Sequence, residues 1–292
     1  MNDDTTSTDV TLWATLDEQA AGYRGDLLVH WFRTTINRLF PADARELSDS
    51  WALVTESISG GREVRVRDVR ANWSVLADAL RPLPFYASAG FHEPSTDEDS
   101  WVDDFGRVSG TQVGGASHTE LFATLRAGER IGNPAFCASL VDFLAVALDG
   151  ANPAFARVDH LNFHEGTDLE AALGRSRRKS RKESRTLLRG YSWVTGVPAE
   201  LAARLGGAHA LETTGAFHIV RKLRDGGLLL QATETLAGYD DDRMREVFRA
   251  LAPVLPPGMP GRDPGRDDLR VVFEDARRVL PPGRRGNLAW TD

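Results

Sequence analysis

This sequence predicts an α+β fold, mainly antiparallel sheets with flanking helices, and three observations carry that expectation. Residues 62–69 alternate apolar and charged side chains (Val64 and Val66 against Arg65 and Arg67), the period-2 pattern of a strand with one wet face. Two further β-prone runs, Ala216–Leu223 and Leu228–Thr233, flank Asp225-Gly226-Gly227, which reads as a hairpin. Apolar residues at helical spacing then mark Pro134–Leu148 and Arg243–Leu251.

In chain order, residues 1–10 are polar and acidic and read as a disordered tail. From Leu12 to Phe40 apolar residues recur at helical spacing, divided near Gly22 and Gly25 into two predicted helices and stopped by Pro41. Trp51–Ile58 pairs with Arg62–Val69 across Ser59-Gly60-Gly61 as a first hairpin. A helix over Asn72–Leu80 ends before Pro82, and Phe85–Phe91 and Gly106–Val113 are further strands. Ser117–Ala127 is predicted helical. Asn133 before Pro134 fits an N-cap with proline at the first helical position.

Phe155–Phe163 reads as a strand. Asp168–Arg189 reads as one charged helix, with Thr167 and Glu170 at capping-box spacing. Beyond it the pattern is strand (Tyr191–Thr195), short helix after Pro198 closed by Gly206-Gly207, the second hairpin, and an amphipathic helix ended by Pro253, Pro256 and Pro257. Leu269–Phe273 predicts an edge strand, and the last residues read as irregular. No linker rich in Gly, Pro or Ser falls near residue 150. We therefore expect one compact unit of two sub-lobes, 11–150 and 151–292.

The composition, 41% hydrophobic and 26% charged over 292 residues, is that of an ordinary globular chain with ample material for a core. Apolar runs reach about nine residues, short of the ~20 of a membrane span. The single cysteine, Cys137, cannot close an internal disulfide, and the N-terminus lacks a secretory pattern, so a cytoplasmic location is expected. Cys137 lies in an apolar helical pattern, which predicts a buried, inert thiol.

Net charge is −7, which weighs against general nucleic-acid binding, but the charges are clustered. Residues 93–104 carry Glu93, Asp97, Glu98, Asp99, Asp103 and Asp104 around Trp101. This is either a solvated connector or a partner-binding loop, since a tryptophan among charges resembles an interface anchor. Arg175, Arg177, Arg178, Lys179, Arg181, Lys182, Arg185 and Arg189 face Glu183 alone. That run reads as a solvated helix, as a surface for an acidic protein partner through Arg178, Lys179, Arg181 and Lys182, or as a phosphate-tracking nucleic-acid contact.

His160, Asn162 and His164 alternate on one strand with Glu165 adjacent. At about 3.3 Å per residue, His160 and His164 stand ~13 Å apart, too far for one zinc ion with ~2 Å bonds, so no metal site is predicted. His218 lies in a strand without a nucleophile motif, and none of GxSxG, HExxH, GxxxxGKS or GxGxxG occurs. No catalytic residue and no cofactor are therefore assigned. If the chain is an enzyme, His160, His164 or His218 are its acid–base candidates.

Several stretches carry a family likeness: Arg189-Gly190-Tyr191-Ser192-Trp193, Glu200-Leu201 with Arg204-Leu205-Gly206-Gly207, Gln231-Ala232-Thr233, and Phe248–Leu255. The span from about Phe155 to Pro260 resembles a bacterial domain family, formerly of unknown function, associated with type VI secretion and polymorphic-toxin immunity. The resemblance implies an immunity protein: a non-enzymatic, stoichiometric inhibitor that binds a cognate toxin. Its acidic loop around Trp101 would then cover a basic toxin face, or its basic run would meet an acidic one.

Overall fold

A computed structural model describes residues 9–17, 22–40, 49–57, 61–92, 104–115, 117–160, 166–262, 265–266 and 268–279. Its centre is a strand that the sequence disguises. β1 (Asp9–Leu16) pairs antiparallel on one side with β6 (His118–Arg126) and on the other with β7 (Phe155–His160). Outward from β6 lie β5 (Asp104–Val113), β4 (Tyr86–His92), β2 (Asp49–Thr55) and edge strand β3 (Glu63–Arg67). Outward from β7 lie β8 (Val194–Val197), β10 (Leu228–Gln231) and edge strand β9 (Ile219–Lys222). All ten strands form one antiparallel sheet. The predicted α+β class and both predicted hairpins are present, and the sheet runs unbroken from strands of the first 150 residues to strands of the rest.

β1 and β6 correct the helical reading of Leu12–Leu16 and Ser117–Ala127. Every residue of β1 after Asp9 is buried, and β6 is buried or half-buried throughout. A strand covered on both faces loses the apolar–polar alternation that announces strands, and its apolar residues then match helical spacing by accident. Thr11, Thr15, Thr119 and Thr124 are β-branched and suit a strand better than a helix. The tail prediction for residues 9 and 10 is corrected too, since both are paired in β1; residues 1–8 lie outside the described residues.

One face of the sheet packs on helices. The register sets Gly110, Leu121 and Ala14 in one row. That row faces α1 (Arg24–Arg38), since a Cβ on Gly110 would lie 2.4 Å from Leu28 Cδ1. α2 (Trp73–Leu80) covers β2 and β3, and α3 (Pro134–Ala147) lies beside α1 with Trp31 and Phe143 edge-on at 5.0 Å. Each of these fully buried aromatics contributes ~1.5–3 kcal/mol through burial alone. Asn133 caps α3 as predicted, accepting from the N–H groups of Ala135 (2.9 Å) and Phe136 (3.1 Å). Cys137 is buried in that helix, its thiol pushed up in pKa by burial and donating to the Ile131 carbonyl.

The other face bears the row Phe122, Trp13 and Arg157, and beside it Glu120, Thr15 and Phe155. Here the predicted single helix over Asp168–Arg189 is corrected. Gly174, at φ +61°, breaks it into α4 (Asp168–Ala172) and α5 (Arg177–Lys182), followed by turns. The predicted capping box is in place: Thr167 Oγ1 accepts from Glu170 N (3.1 Å), and Glu170 Oε2 accepts from Thr167 N (2.8 Å).

The remaining helices are α6 (Ala199–Arg204), α7 (Gly207–Glu212), α8 (Asp241–Leu251) and α9 (Ala276–Val279). Gly206, at φ +87°, ends α6 as expected, and α7 follows at once. Met244, Val247, Phe248 and Leu251 of α8 are buried, as its periodicity requires. The predicted edge strand Leu269–Phe273 does not form. Val272 N–H instead donates to the Tyr191 hydroxyl (2.7 Å), a side-chain partner where a strand would need a backbone one. Likewise α9 replaces part of the tail read as irregular.

Candidate functional site

A helix such as α5, with five cations among its six residues Arg177–Lys182, should repel itself. The segment is held because its arginines divide into two sets. Arg181, Arg185 and Arg189, spaced four apart, turn into the protein. Arg181 Nη1 donates to Glu120 Oε1 (3.1 Å). Arg185 grips Asp17 with two donors (2.7 and 2.9 Å), reaches Glu200 (3.1 Å) and donates to the Asn152 carbonyl (2.8 Å).

Arg189 is buried completely and is the hub of the network. It donates to both oxygens of Glu170 (2.7 and 3.2 Å) and to Thr15 Oγ1 (2.8 Å), and it lies 3.5 Å from Glu120. Its guanidinium sits 4.5 Å from the centroid of Trp13, which Phe122 stacks at 5.4 Å. These charges are paired and hydrogen-bonded, the condition for burying them at tolerable cost. They also correct, for Arg181, Arg185 and Arg189, the expectation of a solvated helix.

The second set faces outward. Arg178, Lys179 and Lys182 are exposed. Arg178 and Lys182 line a cavity of about 420 Å³ with Arg181, Asp17, Gly114, Ser117 and His118. A neighbouring cavity of about 810 Å³ shares Gly114, Arg178 and Arg181 and continues over Phe85, Gln112 and Val113 to Glu56 and Ser57, with Arg177 on its wall. Together they form a trough between α5 and the turn from β5 to β6. Its floor is half-buried and partly apolar (Phe85, Val113), and its wall is cationic. Gly114 (φ +65°) and Gly115 (φ +70°) make the turn, a conformation glycine takes without strain.

His118 stands at the inner end of the trough. Its Nδ1 lies 2.8 Å from Ser117 Oγ, whose hydroxyl donates to the Gly114 carbonyl (2.9 Å). Burial pushes the imidazole below its ordinary range. The charge of Asp17 and a hydrogen bond to the Arg181 backbone oppose that shift, while the charges of Arg181 and Arg189 add to it. A serine beside a histidine invites comparison with a nucleophile–base pair. Here, however, the carboxylate of the neighbourhood, Asp17, is gripped by Arg185, and the imidazole is oriented by a backbone carbonyl. Sequence reading missed Ser117, His118 and Asp17. The first two fell in a stretch taken for helix, and Asp17 meets its partner 168 residues away.

The other predicted residues that the structure describes do not converge. Asp97, Glu98, Asp99, Trp101 and Asp103 lie outside the described residues; of Asp104 the structure gives the backbone, at the start of β5. His160 ends β7, its pKa lowered by burial and then by the charge of Arg270. His218 is exposed just before β9. Those strands are three positions apart in the sheet, ~14 Å at ~4.8 Å per strand, so the two rings serve no common centre. His164 lies outside the described residues. Among the described residues, no group of three or more His, Cys, Asp and Glu is placed to hold a metal ion. No described helix is long and apolar enough to cross a membrane.

No protein-family model matches the chain. No curated protein matches it either. Among solved structures, the fold is similar to that of the Pseudomonas aeruginosa T6SS protein PA0821. The TM-score is 0.56 at 13% identity, over 94% of this chain and 83% of that one.

Proposed function

We propose that this chain is a type VI secretion-associated protein of the immunity type, a non-enzymatic binder that neutralises a cognate toxin by stoichiometric association. The observation that carries the reading is the likeness of nearly the whole chain, 94% of it, to a fold found in a type VI secretion protein. The family resemblance of residues 155–260 points the same way. The physical character of the molecule supports it. A ten-stranded sheet pinned by buried ion pairs is a rigid platform, and charge of both signs clustered along the sequence would speed and orient association with a partner. In this reading the acidic stretch Asp97–Asp104 with Trp101 and the cationic wall of α5 are two partner-facing surfaces. Co-expression with a candidate toxin, sought among the neighbouring reading frames, tests the proposal. A 1:1 complex on size-exclusion chromatography with light scattering, together with rescue of toxin-arrested cells, is expected; neither complex nor rescue refutes it.

A further inference from the structure

We infer that the trough between α5 and the β5–β6 turn receives a short acidic segment of a partner protein. Carboxylates of that segment meet Arg178 and Lys182, and an apolar side chain beside them rests on Phe85 and Val113. The inference deepens the protein-binding reading and rests on it.

The cationic wall is electrostatically frustrated. Arg178 and Lys182 are one helical turn apart on the same side of a six-residue helix, an i,i+4 like-charge pair that costs a few tenths of a kcal/mol. Their neighbours Arg181, Arg185 and Arg189 are neutralised from within the fold, and among the described residues no carboxylate forms an ion pair with these two. A local rule broken without local compensation marks a place where function sets the residue.

The wall is also concave. The two cationic side chains, though exposed, line a concavity of about 420 Å³, which adjoins one of about 810 Å³ with a partly apolar floor. A concavity with converging charges and an apolar base is how a few side chains of a ligand are gripped.

The wall is rigid as well. The wall cannot swing away, because Arg181 and Arg185, within three residues of Lys182, are anchored on Glu120 and Asp17. A helix backbone fixed in this way does not have to be ordered when a ligand binds.

Charge bounds the length of the ligand. Glu56 lies at the outer end of the trough and Asp17 at the inner end, so the cationic wall is short and closed by carboxylates. A nucleic acid needs a continuous path for successive phosphates, which so short a wall does not provide. A few carboxylates on an extended peptide fit the space between.

The test is fluorescence anisotropy of the full chain with a labelled decapeptide of Asp and Glu around one Leu. The arms alongside are the same peptide with Lys for each acid, and a labelled single-stranded DNA 20-mer. Saturable binding of the acidic peptide that weakens with salt is expected. The R178E/K182E variant should weaken it about tenfold or more, since two ion pairs of up to ~1 kcal/mol each are lost and their charges reversed. R178Q/K182Q, which keeps size and cannot repel, should show an intermediate loss, and both variants should melt as the parent does. No binding of the acidic peptide, equal binding by parent and R178Q/K182Q, or tighter binding of DNA than of peptide overturns the inference. The toxin co-expression separates the two levels. If R178E/K182E still captures and neutralises the toxin at parental affinity, the immunity reading stands and the trough is not its seat. If the parent captures nothing, the reading itself falls.

Discussion

Replacing Arg189 with Met should be among the most damaging single changes that leave the chain's apolar core untouched. The side chain is fully buried, makes two hydrogen bonds to Glu170 and one to Thr15, and lies against Trp13 and Phe155. Methionine recovers much of the packing but leaves Glu170 buried without its cation, at 2% side-chain exposure. Removing one partner of a buried pair costs about 3–5 kcal/mol, because the surviving charge is stranded. At about 2–3 °C per kcal/mol for a chain this long, the melting temperature should fall by roughly 6–15 °C.

The decisive comparison is R189M/E170Q. Glutamine keeps an oxygen for Thr167 N–H, so the cap of α4 survives, while no net charge remains to be stranded. The double variant should therefore be more stable than R189M by at least ~1 kcal/mol, a coupling expected only of groups in contact. Urea unfolding followed by tryptophan fluorescence measures it, since Trp13 and Trp193 are both buried. If R189M costs less than about 1 kcal/mol, or the double variant is no better than the single, the hub described here does not hold the segment.

The packing and the buried histidine set three further outcomes. Gly196→Val should destabilise by about 1–3 kcal/mol or more, because a Cβ there would lie 2.6 Å from that of Ala156 across the β7–β8 pairing; an unchanged melting temperature contradicts the register. Phe248→Ala should cost about 3–5 kcal/mol by emptying the seat of α8 against Tyr191, read as a shift of the urea midpoint, and a loss below 1 kcal/mol argues against that packing. For pH, burial holds His118 below its usual pKa, so the unfolded chain takes up the proton first as pH falls. The stability it contributes is full above about pH 6.5 and is lost as pH drops toward the folded value. His118→Gln should thus flatten the decline of melting temperature between pH 7 and 5; parallel curves for the two proteins refute the assignment.

What could be read from the sequence depended on whether a residue's partner is near it in the chain. The caps at Asn133 and Thr167 and the turn at Gly226 use groups within a few residues of one another, and each was legible. The hairpin β2–β3 was legible because one face of β3 is wet and the alternation survives. β1 and β6 were not, because burial on both faces removes the contrast that periodicity needs. The candidate site stands on those two strands, which is why Ser117, His118 and Asp17 escaped notice. The basic run was visible, but its sorting into anchors and wall was not, since Arg185 finds Asp17 and Arg189 finds Thr15 across more than half the chain.

One clue to that sorting did lie in the residues themselves. Arg181, Arg185 and Arg189 recur at every fourth position, although only Arg181 lies in α5 and the other two in the turns and coil beyond it, while Arg178 and Lys182 stand one helical turn apart on α5. A row of arginines, whose planar fork suits buried carboxylates, belongs to the fold. The row it leaves facing the trough includes a lysine, a more strongly hydrated charge suited to a wet rim. The fold pairs Arg181, Arg185 and Arg189 with its own carboxylates and leaves Arg178 and Lys182 exposed, which is the pair on which the proposed peptide contact turns.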